Sequence, residues 1–379
     1  MSLEPAPRAA PVYLDWNATT PPHPAVLDAM RAAAELAWGN PASPHRAGRK
    51  ARALVEAVRE RVASQLELSP RDVIFAGSGT EANNLALRGA RSLVLTRLEH
   101  PSVVRVAEEL ERCGGSVRWL SPPDSGRMEP AAFEEALRAL EPAVRASTVV
   151  ALAAANHETG VVQPIPELAE RVHALGARLH VDAAQALGKL ELAAFAGADS
   201  YTVVAHKIRG PQGVAALAWR GAPQVLPVLL GGSQERGLRP GTQSASLIAG
   251  FGAALERLDS ERYRPLAAWR DRLEQSLGSR AAVNGVGVER LPHVSNVSIV
   301  GWTGEQLVAA LDLEGVCIAS GSACSVGTSQ PSAVIEAMLG RARATAAVRI
   351  SLGESTLENE VERAIVAFNR VLERKASGA

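Results

Sequence analysis

The sequence is poor in aromatic residues and cysteine, carries no net charge, and has no long apolar run. Phe, Trp and Tyr together make only 4% of the 379 residues, while Ala and Arg are abundant, which reads as a coding bias rather than a functional sign. The 3 cysteines, Cys113, Cys317 and Cys324, have a spacing that fits neither a zinc knuckle nor a disulfide framework. In a reducing compartment each is by default a buried apolar residue and by exception a reactive thiol. Lys plus Arg equals Asp plus Glu at 40 each, so no bulk charge favours nucleic acid or an acidic membrane. No apolar stretch approaches the ~20 residues of a membrane span. Met1 to Pro11 lacks the apolar core of a signal peptide. These absences predict a cytoplasmic protein with no membrane contact and no direct nucleic-acid partner. There is also no internal repeat and no low-complexity tract.

What is present is globular: 47% hydrophobic and 21% charged residues, in a chain long enough for two or three domains. Short apolar runs alternate with amphipathic stretches. Val73 to Phe75, Leu93 to Thr96, Thr148 to Ala155, Arg178 to Val181 and Tyr201 to Val204 read as buried strands. Glu167 to Gly176 reads as a helix, with Leu168, Val172 and Leu175 on one face and Gly176 as C-cap. Strands alternating with helices predict an α/β fold with a mainly parallel sheet, whose ligands sit beyond the C-terminal strand ends. Near residue 255 the pattern changes. Glu256 to Leu277 reads as one long charged helix, Val294 to Val300 as a strand with alternate residues facing outward, and Gln306 to Leu313 and Glu358 to Lys375 as helices. The expected organisation is a large α/β domain over 18–254 and a small α+β domain made of 1–17 and 255–379.

Four loops follow predicted strands directly. Ala76-Gly77-Ser78-Gly79-Thr80-Glu81 opens a helix, where small residues let backbone N–H groups close on an anion. It reads equally as a capped turn with Ser78 or Thr80 as N-cap, and it is not a Walker loop, because no Lys follows the glycines. Ala155-Asn156-His157-Glu158-Thr159-Gly160 sets polar groups immediately after an apolar strand, as a site or an ordinary turn would. Asp182, in His180-Val181-Asp182-Ala183-Ala184-Gln185, ends a buried strand and needs a cationic or donor partner unless it is an N-cap. Lys207, in Ala205-His206-Lys207-Ile208-Arg209-Gly210-Pro211, is either a solvated charge or an amine nucleophile at a strand end. Two further stretches stand out. Gly231 to Thr242 is rich in Gly and Arg, suited to a phosphate or a carboxylate or to a plain surface loop. Ser320-Gly321-Ser322-Ala323-Cys324-Ser325 puts one cysteine among small polar residues, as an exposed nucleophile would be.

Taken together these segments resemble the cysteine desulfurases of the class V aminotransferase family, in their group I, the nitrogen-fixation and iron–sulfur-cluster type. The resemblance runs over nearly the whole chain, from Tyr13-Leu-Asp-Trp-Asn-Ala-Thr-Thr20 and Gly39-Asn-Pro-Ala-Ser43 through the four loops to Arg239-Pro-Gly-Thr242, Ser320-Gly-Ser-Ala-Cys324 and Val348-Arg-Ile-Ser-Leu-Gly353. It implies an aspartate-aminotransferase-like fold and a pyridoxal 5'-phosphate cofactor. Lys207 would hold the cofactor aldehyde and shuttle the substrate α-proton. Asp182 would pair with the pyridine nitrogen. Gln185 and Asn156 would hydrogen-bond the ring hydroxyl, with Asn156 also near the substrate carboxylate. His100 would stack on the ring and assist proton transfer. Gly79, Thr80 and His206 would bind the phosphate, joined by Thr242 from a partner subunit, so that the active unit is a homodimer. Arg349 would clamp the carboxylate of the substrate, L-cysteine. Cys324 would attack the substrate sulfur, become a persulfide, and pass the sulfur to an acceptor such as a cluster scaffold or a tRNA-thiolation enzyme, leaving L-alanine. No resident metal is implied, and a transient iron–sulfur contact through Cys324 is the one exception.

The sequence departs from the family in three places. Val204 stands where a phosphate-donating Ser is usual, at a cost of about 1.5–3 kcal/mol for the lost hydrogen bond. Arg209 stands where an aromatic residue is more common, and either it or a backbone amide is expected to compensate for Val204. The chain ends soon after its last helix, without the tail by which some members contact a cluster scaffold, which leaves the acceptor open. The alternatives are a selenocysteine lyase or other pyridoxal lyase or aminotransferase of the same fold and, outside catalysis, a degenerate homologue serving as a sulfur-transfer binding partner.

Overall fold

The computed structural model describes residues 10–221, 225–321 and 331–377. They fall into two compact units: one comprises 19–157 and 161–260, the other the residues up to 18, 158–160 and those from 261 onward.

The larger unit is built on a seven-stranded sheet. Its strands are β1 (Val73–Ala76), β2 (Ser92–Thr96), β3 (Ser116–Leu120), β4 (Thr148–Ala153), β5 (Arg178–Asp182), β6 (Ser200–Val204) and β7 (Ala215–Trp219), in the spatial order β1-β7-β6-β5-β4-β2-β3. Only β7 runs antiparallel to its neighbours. This is the mainly parallel α/β sheet expected from the alternating pattern. Every residue of β1, β2 and β4 is buried, which is why these strands read as continuous apolar runs without alternation. The edge strand β3 is the exception. It exposes Arg118, and the Arg97 guanidinium covers its Trp119 at 4.0 Å from the ring centre.

Helices cross between the strands. Those that matter for the site are α1 (Gly79–Leu87) and α2 (Pro101–Arg112), each opening directly after a strand or its loop. Helix α3 (Ile165–Ala174) starts two residues before its expected beginning, because Pro166 sits in the first turn, where its missing N–H costs nothing. It ends as expected, with Gly176 at φ +74° supplying the left-handed residue past the C-terminus.

In the smaller unit, β8 (Ala281–Val283), β9 (Val294–Ile299) and β10 (Ala347–Ser351) form an antiparallel sheet in the order β10-β9-β8. Val297, Ile299, Val348 and Ile350 pack with Val361, Ala364, Phe368 and Val371 of the helix Glu358–Ser377, whose apolar residues recur every three or four positions.

Two sequence expectations fail here. The long helix over Glu256–Leu277 does not form. One helix (Ala245–Leu255) ends, a short 3-10 turn occupies Ser260–Arg262, and a new helix (Leu266–Leu277) begins after Pro265. Proline cannot donate to a helix already running and clashes with the preceding turn, so the pattern breaks there. Strand β9 does not alternate between core and solvent. Ser295, Asn296 and Ser298 are as buried as Val297, with Asn284 Nδ2 donating to Asn296 Oδ1 at 2.7 Å and to Ser298 Oγ at 3.0 Å. No helix among the described residues is long and apolar enough to cross a membrane.

Candidate active site

In the larger unit, the C-terminal ends of β5 and β6 gather most of the singled-out residues. Asp182 is the last residue of β5, paired in register with Thr202 of the neighbouring parallel strand. Its Oδ1 accepts from the Ala184 N–H at 3.0 Å, a side-chain turn that stops the strand, and its Oδ2 accepts from Asn83 Nδ2 at 2.8 Å. The carboxylate is therefore fixed by two neutral donors.

Lys207 closes a 3-10 turn (Ala205–Lys207) right after β6. Two features of the following residues shape that turn. Arg209 adopts φ +63°, and Gly210 passes so close to Ala205 that a Cβ would lie 2.7 Å from the Ala205 carbonyl oxygen. Thr20 straps the turn: its N–H and Oγ1–H both donate to the His206 carbonyl, at 3.0 and 2.9 Å, and its Oγ1 accepts from the Arg209 N–H at 2.8 Å. Arg209 Nε donates to the Pro21 carbonyl at 3.2 Å. The Nε and the amide of Arg209 are thus both engaged by the 19–23 segment. His206 Nδ1 lies 3.1 Å from Thr19 Oγ1, and burial with Lys207 and Lys189 nearby lowers its pKa to about 4, so the ring is neutral.

Across from these, α1 presents its N-terminus. Ser78 is the N-cap, accepting from the Glu81 N–H at 3.1 Å. Of the two N-caps the sequence allowed, the helix uses Ser78. Gly79 and Thr80 supply the first two helical N–H groups, which have no intrahelical acceptor. A Cβ on Gly79 would sit 2.8 Å from Val204 Cγ2, so glycine is required where β6 approaches the helix start. Glu81 accepts from the Gly77 N–H at 2.6 Å and pairs with Arg239 at 2.8 Å, which ties the Gly- and Arg-rich stretch to this end of the helix. Thr242, farther along that stretch, is exposed.

His100 caps α2, accepting at Nδ1 from the Ser102 N–H at 3.1 Å, and its ring meets His157 edge-on at 5.4 Å. Burial lowers its pKa, and it feels the charges of both Asp182 and Lys207. Asn156 is oriented by a 2.9 Å bond from Nδ2 to the Leu98 carbonyl. Gln185 accepts from the buried Lys189 Nζ at 2.7 Å.

Sequence reasoning missed Asn83, Ser102 and Glu99. Asn83 sits on the buried face of α1, four residues before Leu87, and a polar residue there was the available signal. Glu99 accepts from the Ala153 N–H at 2.8 Å, and burial with Asp182 nearby pushes its pKa up to about 8, so it is protonated at neutral pH.

Arg349 belongs to the smaller unit. It lies on β10, 2% exposed, and its Nη2 donates to Asp15 Oδ1 at 2.6 Å. In the same unit Glu158 accepts from Ser332 Oγ at 2.5 Å, and burial raises its pKa. Cys324 lies outside the described residues. The default reading of the other two cysteines as buried does not hold: Cys113, just past the end of α2, is exposed, and Cys317 is half-buried.

Chemically, the larger unit offers an amine, a carboxylate held by neutral donors, neutral imidazoles, and a helix N-terminus open to an anion. The class-V aminotransferase family model matches residues 12–364. A cysteine desulfurase of Trichormus azollae is 37% identical, over 96% of this chain and 93% of its own length. The cysteine desulfurase IscS of Anaeromyxobacter dehalogenans is 38% identical, over 94% and 91%. Among solved structures, a NifS-like protein from Rickettsia africae superposes with a TM-score of 0.85 at 29% identity, covering 96% of this chain and 99% of that one. SspA in complex with cysteine follows with a TM-score of 0.78, 29% identity, and 91% and 99% coverage. The chain belongs to the class-V aminotransferase family, in its cysteine desulfurase branch.

Proposed function

We propose that this protein is a cysteine desulfurase that uses pyridoxal 5'-phosphate to convert L-cysteine to L-alanine and carries the released sulfur as a persulfide on Cys324. The observation that carries the reading is the meeting of Lys207 and Asp182 at the C-terminal ends of neighbouring parallel strands, with neutral His100 in electrostatic reach of both.

The residues fit that cofactor. An aldehyde suits the Lys207 amine, a protonated ring nitrogen suits the oriented Asp182 carboxylate, and a phosphate suits the amides of Gly79 and Thr80, where a Cβ at Gly79 would close the cradle. His206 lines the same turn as Lys207. Asn156 and Gln185 address a ring oxygen. Thr242, exposed on its own chain, is assigned to the phosphate of a second copy, which makes the working unit a homodimer. The bound cofactor supplies an electron sink for the pair released when the substrate Cα–H bond breaks.

The chain's own residues do the rest. Lys207 takes the α-proton and returns it. Arg349 binds the substrate carboxylate; a guanidinium has five N–H donors, so the Asp15 contact and a substrate are compatible. The Cys324 thiolate attacks the substrate sulfur. An S–S bond forms, the substrate C–S bond breaks with its electron pair left on carbon, and protonation there gives alanine. No external oxidant is required: both sulfurs are oxidised to the persulfide level, and the substrate β-carbon takes the electron pair as it becomes the methyl group of alanine. The persulfide then serves an acceptor protein for iron–sulfur cluster or thio-cofactor synthesis.

The test is alanine release from L-cysteine. Lys207→Ala is expected to lose both the visible cofactor absorption and alanine formation. Cys324→Ser is expected to keep the absorption and lose desulfuration. Full activity in Cys324→Ser would sink the proposal.

A further inference from the structure

A continuous hydrogen-bonded chain of buried side chains runs beneath Asp182 and out to His100. Asn83 is its hub, engaging both side-chain N–H donors and its carbonyl oxygen in it. Its Nδ2 donates to Asp182 Oδ2 at 2.8 Å and to Ser102 Oγ at 2.9 Å, and its Oδ1 lies 3.1 Å from His180 Nε2. The carboxylate has only acceptors to offer, so the amide must turn its NH2 toward Asp182, and every other proton in the chain then follows.

Asn83 Oδ1 is left as an acceptor, so His180 must carry its proton on Nε2. Its bare Nδ1 then accepts from Ser200 Oγ–H at 2.8 Å. On the other branch, Ser102 Oγ already accepts from Asn83, so its own hydrogen is directed to His100 Nδ1 at 2.8 Å. The Ser102 backbone N–H donates to that same Nδ1 at 3.1 Å. Two donors converge on one nitrogen of His100. A proton on Nδ1 would oppose both, so the neutral ring holds its proton on Nε2.

We infer that Asn83 is a positioning residue that sets the protons of this site: through Asp182 and Ser102 it holds the acid that faces the cofactor ring and locks His100 as its Nε2–H tautomer, so that His100 meets cofactor or substrate as a hydrogen-bond donor and not as a base. The assignment narrows the general role in proton transfer that the family resemblance gives His100. Proton removal falls to Lys207 alone, while His100 donates to an oxygen, a nitrogen or a developing charge beside it. The inference rests on the reading of this site as the cofactor site.

The experiment is two-bond 1H–15N correlation spectroscopy on the full-length, cofactor-loaded protein labelled with 15N-histidine, with ring signals assigned through His100→Gln and His180→Gln. The expected result at neutral pH is the Nε2–H tautomer for both rings. Ser102→Ala, a mild change that keeps the Asn83–Asp182 contact, should turn His100 into a mixture of tautomers and leave His180 as it was. Asn83→Leu, which keeps the branched side-chain skeleton, should in addition switch His180 to Nδ1–H, since Ser200 becomes its remaining partner. A purely space-filling Asn83 would move neither signal. An Nδ1–H or doubly protonated His100 in the coloured wild-type protein, or unchanged spectra in both variants, overturns this inference alone. A wild-type protein that stays colourless with added cofactor overturns the functional reading, and this inference with it.

Discussion

Under the proposed reading, Val204 bears directly on cofactor affinity. Its Cγ2 faces the first residue of α1, where a hydroxyl would face the same amides as a phosphate. Restoring a donor there adds a hydrogen bond to a charged group, so Val204→Ser is expected to tighten cofactor binding roughly tenfold or more. Absorbance titration of apoprotein measures this; unchanged affinity would show that the phosphate does not lie against β6. Asp182 was legible as a carboxylate ending an apolar strand and Lys207 as an amine just past one, while His100 was reached only through the family resemblance. Asn83 was not. Its importance comes from Ser102, His180 and Asp182, residues 19, 97 and 99 positions away in the chain. Cys324 was equally legible, as the one cysteine in a run of small polar residues, but it lies outside the described residues.

At the scale of elements, the site depends on how closely α1 approaches β6. Gly79→Ala would press a methyl to within 2.8 Å of Val204 Cγ2 and displace the helix start. Weaker cofactor binding is expected, with partial recovery in the Gly79→Ala/Val204→Ala double variant, because the two side chains compete for one space. Equal losses in the single and double variants would contradict this packing. The central parallel strands could be read as strands because burial on both faces made them largely apolar runs, whereas the parallel edge strand β3, half-exposed with Arg118 at its middle, was overlooked. Ala215–Trp219 was overlooked for the opposite reason: Ala-Ala-Leu-Ala-Trp has no β-branched residue and fits a helix as well, and only its pairing between β1 and β6 makes it a strand. The broken helix before Leu266 shows a different failure, in which amphipathic periodicity ran through Pro265 and concealed the break.

For the whole molecule, the buried ionisable groups near the site set how stability varies with pH. His180 and His206 are held to about 4 instead of the ordinary 6.5, so the folded chain binds fewer protons than the unfolded chain between those values. Their contribution is complete above pH 6.5 and is lost as pH falls through 4. Glu99 acts in the other direction. Raised from 4.5 to about 8, its contribution is complete below pH 4.5 and is lost as pH rises through 8. Between 4.5 and 6.5 these histidines, joined by His100, outweigh Glu99, and above 6.5 Glu99 pulls stability down together with Glu158, which burial also raises, so stability peaks near pH 6.5. Apoprotein melting temperatures are expected to fall from pH 6.5 to 8.5, and Glu99→Gln to flatten that fall. A wild-type protein with no decline over that range would show Glu99 to be ionised already.

The central claim is sulfur transfer through Cys324, and a single turnover tests it most directly. Cofactor-loaded protein is mixed with an equal amount of L-cysteine and quenched, alanine is quantified, and the peptide containing Cys324 is weighed by mass spectrometry. The account predicts one additional sulfur atom on Cys324 for each alanine formed, and neither product in Lys207→Ala. Alanine formed at full yield with Cys324 unmodified, or sulfur carried on Cys113 or Cys317 instead, would contradict it.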